Sequence, residues 1–229
     1  MSQNLPIAVQ DLALRLGANS QANCTRVWLL QKGRIRPLGS KHWMAFKAEQ
    51  SISTTECHFS WRARAGPFGC ISVCDALSEA GPQLDVVALG FLPLVRAQRT
   101  VALQRGELMR YLAELAWAPD AILGNPKLRW RVESSNRLAV CAGVGENACE
   151  VILGLDSQGR IASAYAPDRP RSAVPPCLPT PWSGRFSDYR CRDGRWIPTA
   201  GEVAWEIDGM QVVYWQGQVE SWEARSSGQ

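Results

Sequence analysis

The stretch YRCRDGRWIPTAGEVAWEIDGMQV, residues 189–212, decides the fold class. It contains two Asp-Gly pairs, Asp193-Gly194 and Asp208-Gly209, among the strongest short-range signals for a two-residue β-hairpin turn. Such a turn needs positive φ at both central residues, which glycine adopts freely and aspartate tolerates. Strand-like segments ending at Cys191, running over 202–207 and running over 212–223 surround the two turns. Outward from this stretch the same grammar repeats. Val151, Leu153 and Leu155 alternate before Asp156-Ser157-Gln158-Gly159, and Ile161, Ser163 and Tyr165 alternate after it. Trp130/Val132 and Leu138/Val140 flank Ser134-Ser135-Asn136 in the same way.

Nearer the N-terminus, residues 58–65 give the clearest strand. Phe59, Trp61, Ala63 and Ala65 point one way, and His58, Ser60, Arg62 and Arg64 point the other. Segments 25–35 and 43–52 read as strands about a Pro37-Leu38-Gly39 turn. Segments 70–77 and 84–89 pair about residues 79–82. Two segments have helical period instead. Residues 4–17 place Val9, Leu12, Ala13 and Leu16 on one face, with Asn4 as cap, Pro6 in the first turn and Gly17 as the stop. Residues 105–117 place Leu108, Tyr111, Leu112, Leu115 and Ala116 on a stripe wide enough to dock on a sheet. Glu107 with Arg110, and Arg110 with Glu114, read as surface pairs at helical spacing, and Pro119 ends the helix. Residues 166–182 hold six prolines and are expected to form a loop across one end of the sheet.

The spacers are too short for parallel crossovers. The expected fold is therefore mainly β, in the α+β class. It is a large curved antiparallel sheet, an open half-barrel wrapped on one central helix, with a short N-terminal helix, all in one domain over 1–229.

Hydrophobic residues make up 46% of the chain and charged residues 20%, values of a folded globular protein. No apolar run approaches the ~20 residues of a membrane helix, and the N-terminus has no secretory pattern, so a cytoplasmic location is expected. None of the eight cysteines forms a Cys-x-x-Cys pair, and only His42 and His58 could join them. Cys70 and Cys74 would lie roughly 13 Å apart along a strand, too far to share one ion. Neither a metal nor a cofactor is expected. Arginine far outnumbers lysine in a net charge of +4, which base composition explains as well as phosphate recognition does.

Five segments carry a family resemblance: RGELMRYLAELAW (105–117), PWSGRFSDY (181–189), IPTAGEVAW (197–205), FKAEQ (46–50) and the initial Leu5-Pro6 helix. Together they resemble a bacterial family known only as a domain of unknown function, over nearly the whole chain. Its architecture looks like the helix-plugged half-barrel of the LolA/LolB-like lipoprotein-carrier group. The resemblance implies that fold and no chemistry.

Three sites follow from the residues. The first is an apolar cavity between sheet and helix, walled by Tyr111, Trp117, Trp182, Phe186, Tyr189, Trp205 and Trp215. Aromatics at such spacing are more often core than cavity lining. The second uses Glu107, Asp188 and Glu202 as polar anchors or as an acid–base set. Glu107 reads equally well as a first-turn acid favouring the helix dipole, and Asp188 as a partner of Arg185 or Arg190. No nucleophile elbow or phosphate-binding glycine loop accompanies them, so no catalytic residue is assigned. The third is nucleic-acid binding by Arg34/Arg36, Arg62/Arg64 and Arg129/Arg131. It is disfavoured because alternation sends Trp61 and Trp130 to the opposite face. The expected function is non-catalytic binding of an apolar or amphipathic small molecule, such as a lipid. An enzyme using carboxylates, or a protein- or nucleic-acid-interaction module, is the rival.

Overall fold

The computed structural model describes residues 5–19, 24–171 and 177–226. One antiparallel sheet of thirteen strands makes up most of the molecule. The first half contributes β1 (Cys24–Ile35), β2 (Met44–Ser53), β3 (Phe59–Ala65), β4 (Ile71–Ser78), β5 (Gly81–Ala88) and β6 (Leu92–Arg96). The second contributes β7 (Arg129–Ser134), β8 (Arg137–Ala142), β9 (Cys149–Leu155), β10 (Ile161–Pro170), β11 (Pro179–Arg192), β12 (Arg195–Ile207) and β13 (Met210–Ser226).

The strand order is β6-β5-β4-β3-β2-β1-β13-β12-β11-β10-β9-β8-β7. The chain thus starts mid-sheet, meanders to one edge, crosses over and meanders back. The two halves join where β1 pairs with β13, from Cys24 opposite Ser226 to Ile35 opposite Trp215. The sheet is not closed, because β6 and β7 remain edges. This is the expected half-barrel. Asp193 and Gly194 (φ 46° and 77°) and Asp208 and Gly209 (φ 51° and 73°) make the two anticipated hairpin turns.

Helix α1 (Ile7–Arg15) is shorter than the expected 4–17. Pro6 occupies its N-cap, and Asn4 lies outside the described residues. Gly17 ends the run at φ 71°, where a Cβ would also sit 2.0 Å from the Gly194 carbonyl oxygen. Helix α2 (Val101–Ala113) begins a turn before the expected 105, because the Thr100 hydroxyl accepts from Leu103 N at 3.1 Å. A 3-10 turn, Glu114–Trp117, continues α2, and a short helix α3 (Asp120–Gly124) follows that the sequence did not signal. Strand β6 was likewise unanticipated.

The proline-rich segment differs most from expectation. Pro167 and Pro170 lie in β10 and Pro179 and Pro181 in β11, with Pro170 paired to Pro179. Beyond them Arg171 N donates to the Leu178 carbonyl at 3.1 Å, and Pro175 and Pro176 lie outside the described residues. A bulge between Ala166 and Arg169 lets these strands lose ladder donors to proline without separating.

The inner face of the sheet carries α2. Leu108, Met109, Tyr111 and Leu112 of α2 are buried with Phe59 and Trp61 of β3, Val151 and Leu153 of β9, and Ala164 and Ala166 of β10. The helix therefore bridges the two wings.

Candidate functional site

The anticipated wall residues belong to the packed inner face, and their polar atoms are used there. Tyr111 donates its hydroxyl to the Ser53 carbonyl at 2.9 Å and accepts from Asn125 Nδ2 at 2.9 Å. Trp117 Nε1 donates to the Pro198 carbonyl at 2.9 Å, and Trp222 Nε1 donates to the Trp117 carbonyl at 2.8 Å. Trp117 meets Phe186 edge-on at 5.3 Å and Trp215 at 6.2 Å, and Trp215 stacks on Phe46 at 5.7 Å. Trp182 Nε1 donates to the Tyr214 hydroxyl at 3.1 Å, Trp205 stacks on Tyr214, and the Arg169 guanidinium lies 4.6 Å above the Trp182 ring. Tyr189 donates to the Ile161 carbonyl at 2.6 Å. All seven wall residues belong to, or pack against, the buried cluster that includes α2.

The three candidate acids are scattered. Glu107 lies in the body of α2, 3% exposed, so it is no first-turn dipole acid. Burial, with the negative charge of Asp75 beside it, pushes its carboxyl well above the ordinary range. Glu107 Oε2 and Asp75 Oδ1 are both buried without a partner among the described residues. Asp188 is exposed, at φ 56° within β11, and pairs with neither Arg185 nor Arg190 among the described ion pairs. Glu202 sits on the outer face of β12.

The helix pairs expected at the surface are instead largely buried. Arg110 bonds Asp75 and, at 2.8 Å, Glu114, and it lies 4.8 Å above the Phe59 ring. Gln50 Nε2 donates to Glu114 Oε2 at 2.5 Å, Gln31 Nε2 to Gln50 Oε1 at 3.0 Å, and Trp61 Nε1 to Gln31 Oε1 at 2.9 Å. This polar chain crosses from β4 over α2 to β1 and anchors the helix to the sheet.

Open space lies on the other face. Residues paired across an antiparallel ladder project to the same side, and two such ladders cross the centre of the sheet. One runs Arg64–Lys47–Lys32–Gln218–Ala200–Ser187, from β3 to β11. The other runs Ala45–Arg34–Gln216–Glu202–Arg185–Ser163, from β2 to β10. Both alternate with the inner residues Phe46, Gly33, Gly217, Gly201 and Phe186, so both face away from α2.

Together they line a groove of about 1180 Å³. From β3 to β10 it spans six inter-strand steps of about 4.8 Å, roughly 29 Å of arc. Gly33, Gly201 and Gly217 reach it only with their backbone, since a Cβ on each would point to the inner face, toward the Phe46, Trp117 and Trp215 rings. Lys32, Arg34, Lys47, Arg64 and Arg185 line it, against the single carboxylate of Glu202. Glu202 is engaged, since Gln216 Nε2 donates to it at 2.6 Å while Arg34 Nε donates to Gln216 Oε1 at 2.5 Å. Lys32 pairs with Glu220 at 2.8 Å, and its hydrogen bond holds that carboxyl below the ordinary range. Lys47, Arg64 and Arg185 form no ion pair among the described residues. A second groove of about 670 Å³ adjoins at Lys47 and Arg64 and adds Arg62 beside Glu49, Asp85 and Glu220.

Of the residues singled out from sequence, Phe186, Glu202, Arg34 and Arg64 line the larger groove, and Lys32, Lys47 and Arg185 were missed. Nothing in the local pattern marks those three, because they meet only through strand pairing. Trp61 faces the core as alternation required, and Arg129 and Arg131 lie apart on the β7 edge, Arg131 paired with Glu133 and Glu150.

Two solved structures are similar over the length of the chain. A LolA superfamily protein from Nitrosomonas europaea aligns with TM-score 0.52 at 12% identity, over 95% of this chain and 94% of the other. A DUF1329 family protein from Desulfovibrio piger aligns with TM-score 0.54 at 12% identity, over 97% and 94%. At that identity the likeness is one of fold. No curated protein matches the sequence. The model of DUF6544, a family of unknown function, matches residues 1–217, and the chain belongs to that family.

Proposed function

We propose that the protein binds, without chemistry, an amphipathic small molecule with an acidic group, and that the outer groove is where it binds. The observation that carries this reading is the five cations facing one engaged carboxylate around an open trough. Its volume of about 1180 Å³ exceeds the roughly 300–1,000 Å³ of ordinary small-molecule pockets, which favours a lipid-sized ligand. The acidic group would lie against Lys47, Arg64 and Arg185, and the apolar part along Ala45, Ala200 and the lysine and arginine stems. The lipoprotein-carrier fold supports a ligand-carrying role only by analogy. Nucleic acid fits less well, because Trp61 is in the core and Glu49, Asp85 and Glu220 interleave with the arginines of the adjoining groove.

The test is native mass spectrometry followed by organic extraction, together with titration by oleate and lysophosphatidylglycerol. A bound acidic amphiphile is expected. Lys47→Gln with Arg185→Gln should weaken the added ligand by about tenfold or more, as loss of charge-assisted contacts requires. An apo mass that neither amphiphile shifts, or affinity equal in the double variant, would overturn the reading.

A further inference from the structure

In a meander, alternate connections share one end of the sheet. The β1–β2 (36–43), β3–β4 (66–70) and β5–β6 (89–91) connections therefore lie together. The β12–β13 turn joins them, because β13 begins beside the end of β1, where Ile35 pairs with Trp215. Backbone hydrogen bonds tie them further: Leu89 N donates to the Cys70 carbonyl at 2.7 Å and Arg36 N to the Tyr214 carbonyl at 2.9 Å.

Each of these four tips presents a large apolar side chain to solvent: Leu38, Phe68, Leu89 with Phe91, and Met210. Phe68 is fully exposed and Phe91 is 76% exposed. Phe68 and Leu89 also hold φ of 53° and 54°, a left-handed backbone that bulky residues rarely adopt. The connections 36–43, 66–70 and 89–91 contain no carboxylate and do contain Arg36, Lys41 and His42; Asp208 is the one acid of the fourth turn. At their base the Arg34 and Arg36 guanidiniums each lie 4.8 Å from the Trp43 ring centroid. The alternate connections at the opposite end differ: β2–β3, β4–β5 and β11–β12 carry Glu56, Glu79 and Asp193 and no exposed bulky apolar residue.

We propose that this end of the half-barrel is a docking surface for a lipid bilayer bearing anionic headgroups. Apolar tips enter the acyl boundary, while Arg36, Lys41 and Trp43 sit at headgroup level, the division of labour of interfacial anchors. A bilayer suits this surface because the apolar groups project from separate tips that carry cations, and Asp208 is the one carboxylate among these four connections. The proposal stands apart from the groove reading. It has a consequence for it, since Gly66 and Gly69 of the second tip also line the groove, whose cations would then face the membrane.

The experiment is flotation of the full chain with phosphatidylcholine vesicles, with and without phosphatidylglycerol. Binding to the anionic vesicles, weakened by salt, is expected. Phe68→Asn with Leu89→Asn should lower partitioning by about tenfold or more at unchanged Tm, because asparagine accepts the left-handed backbone. Phe91→Ser, clear of those strained positions, should act in the same direction. No flotation with either vesicle, or flotation unchanged in both variants, overturns the proposal. So does a concentration-dependent dimer that these variants abolish while vesicle binding is unaffected, which would assign the surface to a second copy.

Discussion

Glu107 is a carboxyl whose chemistry its surroundings change. Its folded carboxyl titrates above the unfolded value through burial and Asp75, so its contribution is fully present below about pH 4.3 and is lost as pH rises through the folded value. Each unit of upward displacement corresponds to about 1.4 kcal/mol. Glu107→Gln removes that titration. The Tm of E107Q should gain on wild type as pH rises above about 4.3 until the folded carboxyl ionises, and parallel Tm–pH curves would refute the assignment. Gly217 makes a different demand, since a Cβ there would meet Trp215 Cη2 at 2.3 Å. Gly217→Ala should displace the Trp215 ring from Phe46 and cost about 1–3 kcal/mol by overpacking. Denaturant unfolding with tryptophan emission would register both effects.

Among the elements, α2 depends on a buried ion network as well as on its apolar stripe. Arg110 is held between Asp75 and Glu114 over the Phe59 and Trp61 rings. Arg110→Met alone leaves two buried acids without their cation and should destabilise by about 3–5 kcal/mol. Adding Asp75→Asn and Glu114→Gln should restore much of that loss, because the uncompensated charge is removed. Urea midpoints of the single and triple variants would check the ordering, and a triple variant weaker than R110M would contradict it. The sequence pattern found this helix and its apolar face but placed the charged pairs on the surface. Helical spacing says which residues are neighbours on a helix, and says nothing of what arrives from β4 and β2 to bury them.

For the molecule as a whole, the pairing of β1 with β13 is the joint on which the sheet depends. A chain ending at Gly209 would bare the edges of β1 and β12 and separate the two meanders. It should lose cooperative thermal unfolding, measured by far-UV circular dichroism, whereas a sheet indifferent to this joint would keep a sharp transition. The same joint creates the groove, because Lys32 and Arg34 come from the first half and Gln216, Glu202 and Arg185 from the second.

What the sequence by itself determined were the features set within a few residues: strand alternation, the two Asp-Gly turns, the α2 stripe and the stop at Gly17. Each rests on backbone sterics or on periodic burial, which a local window contains. Only the tertiary structure decided that the aromatic candidates fill the inner face, that Glu107 and Arg110 are buried, and that prolines 167, 170, 179 and 181 lie in strands. It alone also brought Lys32, Lys47, Arg64 and Arg185 to one trough. Those outcomes depend on which strands pair and in what register, and a one-residue shift would send each of these side chains to the opposite face.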